Sequence, residues 1–344
     1  MKRILKRIHS AAPVRVCDIG GWTDTWFAGH GAVFHIAVTP CVEVDIRVFP
    51  QNLDERITLH LKNFDETYSL NPGNIVYRKH PLIEASIDSV EIPPSISLEI
   101  DIFSEAPSGA AVGTSAAVCV ALIAALDALT PGRLSPQKIA ALAHDVETEK
   151  LGLQSGIQDQ LCSAHGGINF IHMHAFPHST VSPVIVKESL RLELEKRLSL
   201  FFIGKPHNSS DVHKMVIADL GEDARNDPRI EGLRQLASDA KNALEAGDLE
   251  ALGEVMNQST EVQRALHPGL VCDAFDEIIA ISHSFGVSGC KVNGAGGDGG
   301  SITILGNGNG EKKKALIQAL EKKGYQSIPV SLSPHGVRVS DSSL

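Results

Sequence analysis

Long apolar runs are missing from this sequence: no stretch of about 18 apolar residues occurs, so no transmembrane helix is expected. Cysteine is sparse. The six residues Cys17, Cys41, Cys119, Cys162, Cys272 and Cys290 are scattered, form no C-x-x-C pair and mostly sit among apolar neighbours. Free buried thiols in a reducing cytoplasm are the expectation. Positive charge is in deficit, with 31 Lys and Arg against 41 Asp and Glu and a net charge of -10. That balance argues against broad electrostatic binding to nucleic acid or to an anionic membrane, although an acidic total can still contain a local basic pocket. The opening MKRILKRIHS is basic but has no apolar region behind it, so it reads as a first strand rather than a signal peptide. Repeats and long low-complexity linkers are absent as well.

What is present is the composition of a folded protein, 43% hydrophobic and 21% charged over 344 residues, enough for roughly two domains. Residues 14 to 49 alternate β-branched and polar positions between Gly-rich breaks, as strands and hairpins do, and residues 96 to 104 (SISLEIDIF) keep strict period two. Ser115 to Leu129 is too long and too rich in Ala, Leu and Val for a strand and reads as a buried helix. Residues 136 to 150 read as a second helix, and 167 to 204 as strands around Asn169, Val184 and Phe201. Val212 to Ser284 follows helical spacing. Strand, Gly-rich turn and strand come next over 287 to 305, then a helix over 311 to 323 and a last strand near Ile328. Strands mixed with helices but lacking regular βαβ alternation predict an α+β fold in two lobes with the active site in the cleft between them. The lobes are expected to be residues 1–185 and 186–344, with the boundary between residues 180 and 195.

The most informative segment is Pro107-Ser108-Gly109-Ala110-Ala111-Val112-Gly113-Thr114-Ser115-Ala116-Ala117, which follows a predicted strand and opens the apolar helix. Small residues allow close backbone approach, and a helix start offers unpaired N–H groups and a positive dipole end, together suited to a phosphate chain. The hydroxyls of Thr114 and Ser115 could add a ligand to a Mg2+ bridging phosphates. The alternative is an ordinary capped helix start packed with small residues. No Lys follows the glycines, so this is not a P-loop. Gly294-x-Gly296-x-x-Gly299 satisfies G-x-G-x-x-G, yet a strand-like SITIL follows where a dinucleotide site needs a helix.

The 107–117 segment resembles the P-x-x-x-G-L-G-S-S-A-A motif of the GHMP kinases, with Ala111 for Gly, Val112 for Leu and Thr114 for Ser. Two further stretches fall in the order that the family has them. Ala12-Pro13-Val14-Arg15-Val16-Cys17-Asp18-Ile19-Gly20-Gly21-Trp22-Thr23-Asp24 is similar to its first motif. Lys291-Val292-Asn293-Gly294-Ala295-Gly296-Gly297-Asp298-Gly299-Gly300 is similar to its third, the loop that closes near the phosphates through Gly294, Ala295, Gly296 and Gly297. The resemblance implies ATP binding by Pro107, Gly109, Ala110, Ala111, Gly113, Thr114, Ser115 and Ala116.

The stretch Glu147 to Gln160 resembles the family's acidic segment. By that match Asp159 is the base or orienting carboxylate, Arg15 lies close to it, and Glu147 with Ser115 holds Mg2+. Glu149 is the substitute for Glu147, against its alternative as part of a solvated helix face. Asp24 matches the carboxylate that reads sugar hydroxyls in galactokinase-like members, and Gly21 and Trp22 stand where galactokinase has Glu-His. G-G-W-[ST]-D looks more like the branch of fucokinase-type and heptose-phosphate kinases. The resemblance thus implies transfer to an anomeric hydroxyl, with D-glycero-D-manno-heptose 7-phosphate first and a free sugar (fucose, galactose or glucuronate) as alternative. A non-catalytic binding protein of the same fold is the reading from another class. Lys205, His207, Asn208, Ser209, Ser210 and His213 form a polar cluster able to meet a substrate phosphate, or simply a strand-to-helix turn capped by Ser210. Trp22 and Trp26 line the sugar site or only pack. The expected partners are ATP and a sugar or sugar phosphate, with a homodimer as the alternative to a monomer.

Overall fold

The computed structural model describes residues 3–51, 55–205 and 209–343. In chain order the strands are β1 (Lys6–Ile19), β2 (Gly31–Pro50), β3 (Ile57–Leu61), β4 (Glu66–Leu70), β5 (Ile96–Ser104), β6 (Ile168–Ala175) and β7 (His178–Pro183). These seven belong to one sheet. A second sheet is formed by β8 (Leu198–Phe202), β9 (Gly289–Val292), β10 (Ser301–Leu305) and β11 (Gln326–Ile328), in the order β11-β8-β10-β9, all antiparallel. The last strand, β12 (Arg338–Ser343), returns to the first sheet and runs antiparallel to β1, completing the order β12-β1-β2-β5-β3-β4. Strand β2 is long enough to pair with β5 along one half and with β6 along the other.

The helices are α1 (Pro81–Asp88), α2 (Thr114–Asp127), α3 (Pro136–Asp145), α4 (Gln158–His165), α5 (Glu188–Arg197), α6 (Ser209–Leu220), α7 (Pro228–Ala246), α8 (Leu249–Leu266), α9 (Asp273–Ser284) and α10 (Gly310–Lys322). Helix α2 packs on β1 and β2 with α1, α3 and α4 around it, and its residues from Ala116 to Leu126 are buried except Val118. Each side chain such as Leu122 or Ile123 contributes about 1.5–3 kcal/mol by leaving water, so an all-round apolar sequence forms a central helix rather than an amphipathic one. Helices α7 and α8 form an antiparallel pair. The first lies on β2 and the second on β9 and β1, so they join the two sheets. Asp227 and Asp248 cap them at their N-termini, each accepting a bond from a backbone N–H in the first turn.

The sequence-based segments for β5, α2, α10 and the β9–turn–β10 unit coincide with observed elements to within one or two residues. The stretch 167–204 does not remain strand throughout, because α5 interrupts it. The helix predicted over 136–150 is α-helical only to Asp145 and then widens into one π-helical turn, Val146–Lys150. Positions 185 and 186 fall in the connection between β7 and α5. Among the described residues all six cysteines are free, and no helix is long and apolar enough to cross a membrane.

Candidate active site

Strand β1 loses register with β2 between Val16 and Ile19, and Cys17 there takes a left-handed backbone (φ 54°). Such a bulge re-aims side chains at the end of a strand. Here it leaves Arg15 and Asp18 facing a cleft of ≈ 480 Å³ together with Gly21, Trp22 and Asp24. Arg15 donates from Nε to Asp159 Oδ1 at 2.8 Å and from its second terminal nitrogen to Asp159 Oδ2 at 3.1 Å, the two-pronged geometry that suits guanidinium and carboxylate. Its remaining terminal nitrogen donates to the carbonyl of Ala111 in the Gly-rich loop. Burial disfavours the Arg15 charge, but Asp159 and Asp18 outweigh that and hold its pKa above the ordinary value. Asp159 stands on the first turn of α4 with its side chain 27% exposed, open to the cleft.

The Gly-rich loop enters from β5 and ends at the start of α2. Arg15 N donates to Val112 O at 2.9 Å, fixing the loop to β1. Ala111 takes a left-handed backbone (φ 57°), which costs about 1–2 kcal/mol in a residue with a Cβ. Gly113, also left-handed at φ 74°, is the N-cap of α2 and supplies no capping side chain. The first turn therefore points its N–H groups into the cleft with Thr114, Ser115 and Ala116 on the wall. A Cβ on Gly113 would stand 3.1 Å from the Asp159 carboxylate, so this glycine also lets α2 and α4 approach. Pro107 lies outside the cleft wall and accepts a turn bond from Ala110 N. Across the cleft Gly294 and Ala295 reach the wall, and Gly294 N donates to both Asp18 oxygens at 3.1 and 2.9 Å. Gly296 and Gly297 turn away: Gly297 N donates to Leu270 O, and a Cβ on Gly296 would meet the same carbonyl. Asp18 is thus the tie between β1 and the loop from the smaller sheet.

The π-turn Val146–Lys150 carries both candidate glutamates. Glu147, four residues after the buried Ala143, points inward, 6% exposed and on the cleft wall, and Glu149 stands in solvent. Glu147 Oε2 accepts from Ser155 Oγ and Gln160 Nε2, both at 2.6 Å. Burial pushes its pKa up to about 7, with Asp159 adding to the shift and the two hydrogen bonds opposing it. Asp24 is likewise pushed up to about 6, chiefly by burial. Because both folded pKa values lie above the free ones, protonation favours the folded state. The contribution is full below the ordinary carboxylate range and is lost as pH rises through about 6 to 7. The melting temperature of the protein without ligands should therefore fall between about pH 5 and pH 8, and Glu147→Gln should flatten that fall, measured by scanning calorimetry.

At the other end of the cleft Asp24 Oδ2 accepts from Gln158 N at 3.0 Å, and a Cβ on Gly156 would collide with the Asp24 carboxylate. Trp22 closes this end with its ring 4.9 Å, edge to face, from His213 on α6, whose Nδ1 lies 3.1 Å from Gln154 O. Trp26 stacks edge to face on Phe27 and lies off the wall. Of the polar cluster 205–213, His213 reaches the cleft. His207 and Asn208 lie outside the described residues, as do the side chains of Ser209 and Ser210. Thr25, Gln154, Ser155, Gly156 and Gln158 are on the wall although the motifs assigned them no part.

Residues 74–167 match the GHMP kinases N terminal domain, and residues 240–326 match the GHMP kinases C terminal family. The mevalonate kinase of Archaeoglobus fulgidus is 31% identical over 262 residues, 75% of this chain and 83% of that protein. The chain belongs to the GHMP kinase family. It is accordingly an α+β phosphotransferase with an alcohol group as acceptor and ATP as the phosphoryl donor. A D-glycero-alpha-D-manno-heptose 7-phosphate kinase of Campylobacter jejuni is 27% identical to it over 71% of this chain and 70% of its own length. The bifunctional fucokinase/GDP-fucose pyrophosphorylase of Arabidopsis thaliana is 28% identical over 94% of this chain, but this chain spans only 32% of that protein. The kinase is thus similar both to sugar kinases and to mevalonate kinases, and its acceptor rests on its own cleft.

Proposed function

We propose that this kinase transfers the γ-phosphoryl group of ATP to the anomeric hydroxyl of a sugar. The observation that carries the reading is the two-pronged Arg15–Asp159 pair set between the α2 N-terminus and Asp24. In the proposed step Asp159 orients the acceptor hydroxyl and takes its proton as the oxygen bonds to the γ-phosphorus. The bond from that phosphorus to the β–γ bridging oxygen breaks, and ADP leaves. Arg15 holds Asp159 in place and offsets negative charge as it develops. The amides of the α2 first turn, with Gly109 to Ala111 below them and Gly294 and Ala295 opposite, cradle the phosphates.

The oxygen donors at this end fit Mg2+. Glu147 is a buried carboxylate on the wall, Ser115 opens its hydroxyl to the cleft, and Thr114 Oγ1 is buried with no hydrogen-bond partner. Mg2+ at such a site would be held by one or two of these side chains together with substrate phosphates. When bound there, Mg2+ supplies charge neutralisation at the phosphate oxygens.

Asp24 favours a polyol at the acceptor end, and the similarity to the heptose 7-phosphate kinase puts D-glycero-D-manno-heptose 7-phosphate first, ahead of fucose, galactose and glucuronate. ADP release with Mg-ATP over these acceptors, homoserine and mevalonate tests the reading. Turnover of a sugar, with a new anomeric phosphate by phosphorus NMR, is expected; turnover of mevalonate or homoserine alone would overturn it. The two lobes are proposed to divide at residues 185 and 186.

A further inference from the structure

Three side-chain atoms around Asp24 are buried without a partner: Trp22 Nε1, Gln154 Oε1 and Gln158 Oε1. All three side chains line the cleft, and Trp22 and Gln158 are only 5% and 9% exposed. Buried polar groups are ordinarily paired, so a cluster of unpaired ones on a cleft wall marks where a ligand's polar groups go. Trp22 also takes a left-handed backbone (φ 79°), unfavourable for so bulky a residue and characteristic of positions that a site over-determines. The surroundings hold Gln158 at the wall. Its N–H is bound to Asp24, and a Cβ on Gly21 would stand 3.2 Å from Gln158 Nε2 and 3.1 Å from Asp18 Oδ2. Of the unpaired atoms, the wall thus presents the amide oxygens of Gln154 and Gln158 as acceptors beside the Asp24 carboxylate, and the Trp22 indole N–H as a donor. A hydroxyl suits both kinds of atom, since it donates to the oxygens and accepts from the indole.

Resting on the sugar-kinase reading, we infer that Gln158 determines specificity: with Trp22 and Asp24 it reads the hydroxyls beside the one phosphorylated. The acceptor is then a polyol with free vicinal hydroxyls, and an alcohol without such neighbours is rejected. A site built to bond a hydroxyl discriminates strongly against the analogue lacking it, because its own buried atom is left unpaired.

The test compares kcat/KM for the best sugar of the panel with its monodeoxy analogues at each position next to the reacting hydroxyl, in wild type and in Gln158→Leu. Wild type should prefer the parent over at least one analogue by about 10–100-fold. Gln158→Leu should erase that preference by slowing the parent, with KM for ATP unchanged. Gln158→Glu, which retains an acceptor oxygen at the same place, should keep most of it. Equal use of parent and analogues by wild type, or a full preference surviving in Gln158→Leu, overturns this inference alone. Turnover of non-sugar alcohols with silence on every sugar overturns the sugar-kinase reading first and this one with it.

Discussion

Asp159→Asn is expected to lower kcat by about 10²–10⁴-fold, the usual worth of a positioned proton acceptor, while ATP still binds. The amide matches the carboxylate in size, so α4 and the wall around Gly113 should stay in place, but it cannot take the acceptor's proton. It also presents one oxygen where Arg15 now meets two. Steady-state ADP release gives kcat, and calorimetric titration with ATP separates a lost step from lost binding. Unchanged turnover would remove Asp159 from its assigned role and bring forward the non-catalytic binding protein.

Arg15→Met should do damage of two kinds. Arg15 is 4% exposed and binds Asp159 and the Ala111 carbonyl together, so its loss leaves a carboxylate and a loop without their common partner. Removing one member of a buried pair costs about 3–5 kcal/mol. The lower end applies here, because Asp159 is partly open to the cleft and solvent screens it. In activity the loss of a preorganised cation beside the reacting groups should cost about 10²–10³-fold in kcat. Arg15→Lys separates the effects: it keeps a positive charge but not the fork. It should regain part of the stability and little of the rate, as denaturant melts and turnover assays on the two variants would show.

Much of this site was legible because it lies in short runs whose residue types are constrained in sequence as well as in space. Arg15, Asp24, the 107–117 loop and Asp159 stand at the cleft where their motifs placed them, although Pro107, Gly296 and Gly297 lie back from its wall. The sequence puts Glu147 ahead of its substitute Glu149, and helical spacing supports that order: residues two apart face opposite ways, and the buried Ile139, Ala140 and Ala143 continue the inner face to Glu147. The missed helix α5 shows a different failure. Leu190, Leu192 and Leu194 alternate with charged residues as in a strand, yet only Leu194 is buried. Leu194, four residues after the half-buried Leu190, anchors the helix on the core, and Arg191 with Glu188 and Glu195, and Arg197 with Glu193, add ion pairs at helical spacing. Strand β12, with its polar RVSDSS, has no apolar alternation at all and exists through its pairing with β1. Gln154 and Gln158 were invisible as site residues because an amide reveals its purpose only when its neighbours leave it unpaired.

The bridging of the two sheets by α7 and α8 has a thermodynamic side. One apolar cluster contains Val16 and Phe34 of the first sheet, Leu122 of α2, Leu236 of α7, Met256 of α8, and Leu200 and Leu305 of the second sheet. Neither half can expose its share of that cluster without stripping the other, so the chain should melt in a single cooperative step despite its two lobes. Whatever binds the native cleft then stabilises every element at once, by RT ln(1 + [L]/Kd). The temperature of that one transition becomes a gauge of which small molecules the cleft accepts, even where no phosphoryl group moves.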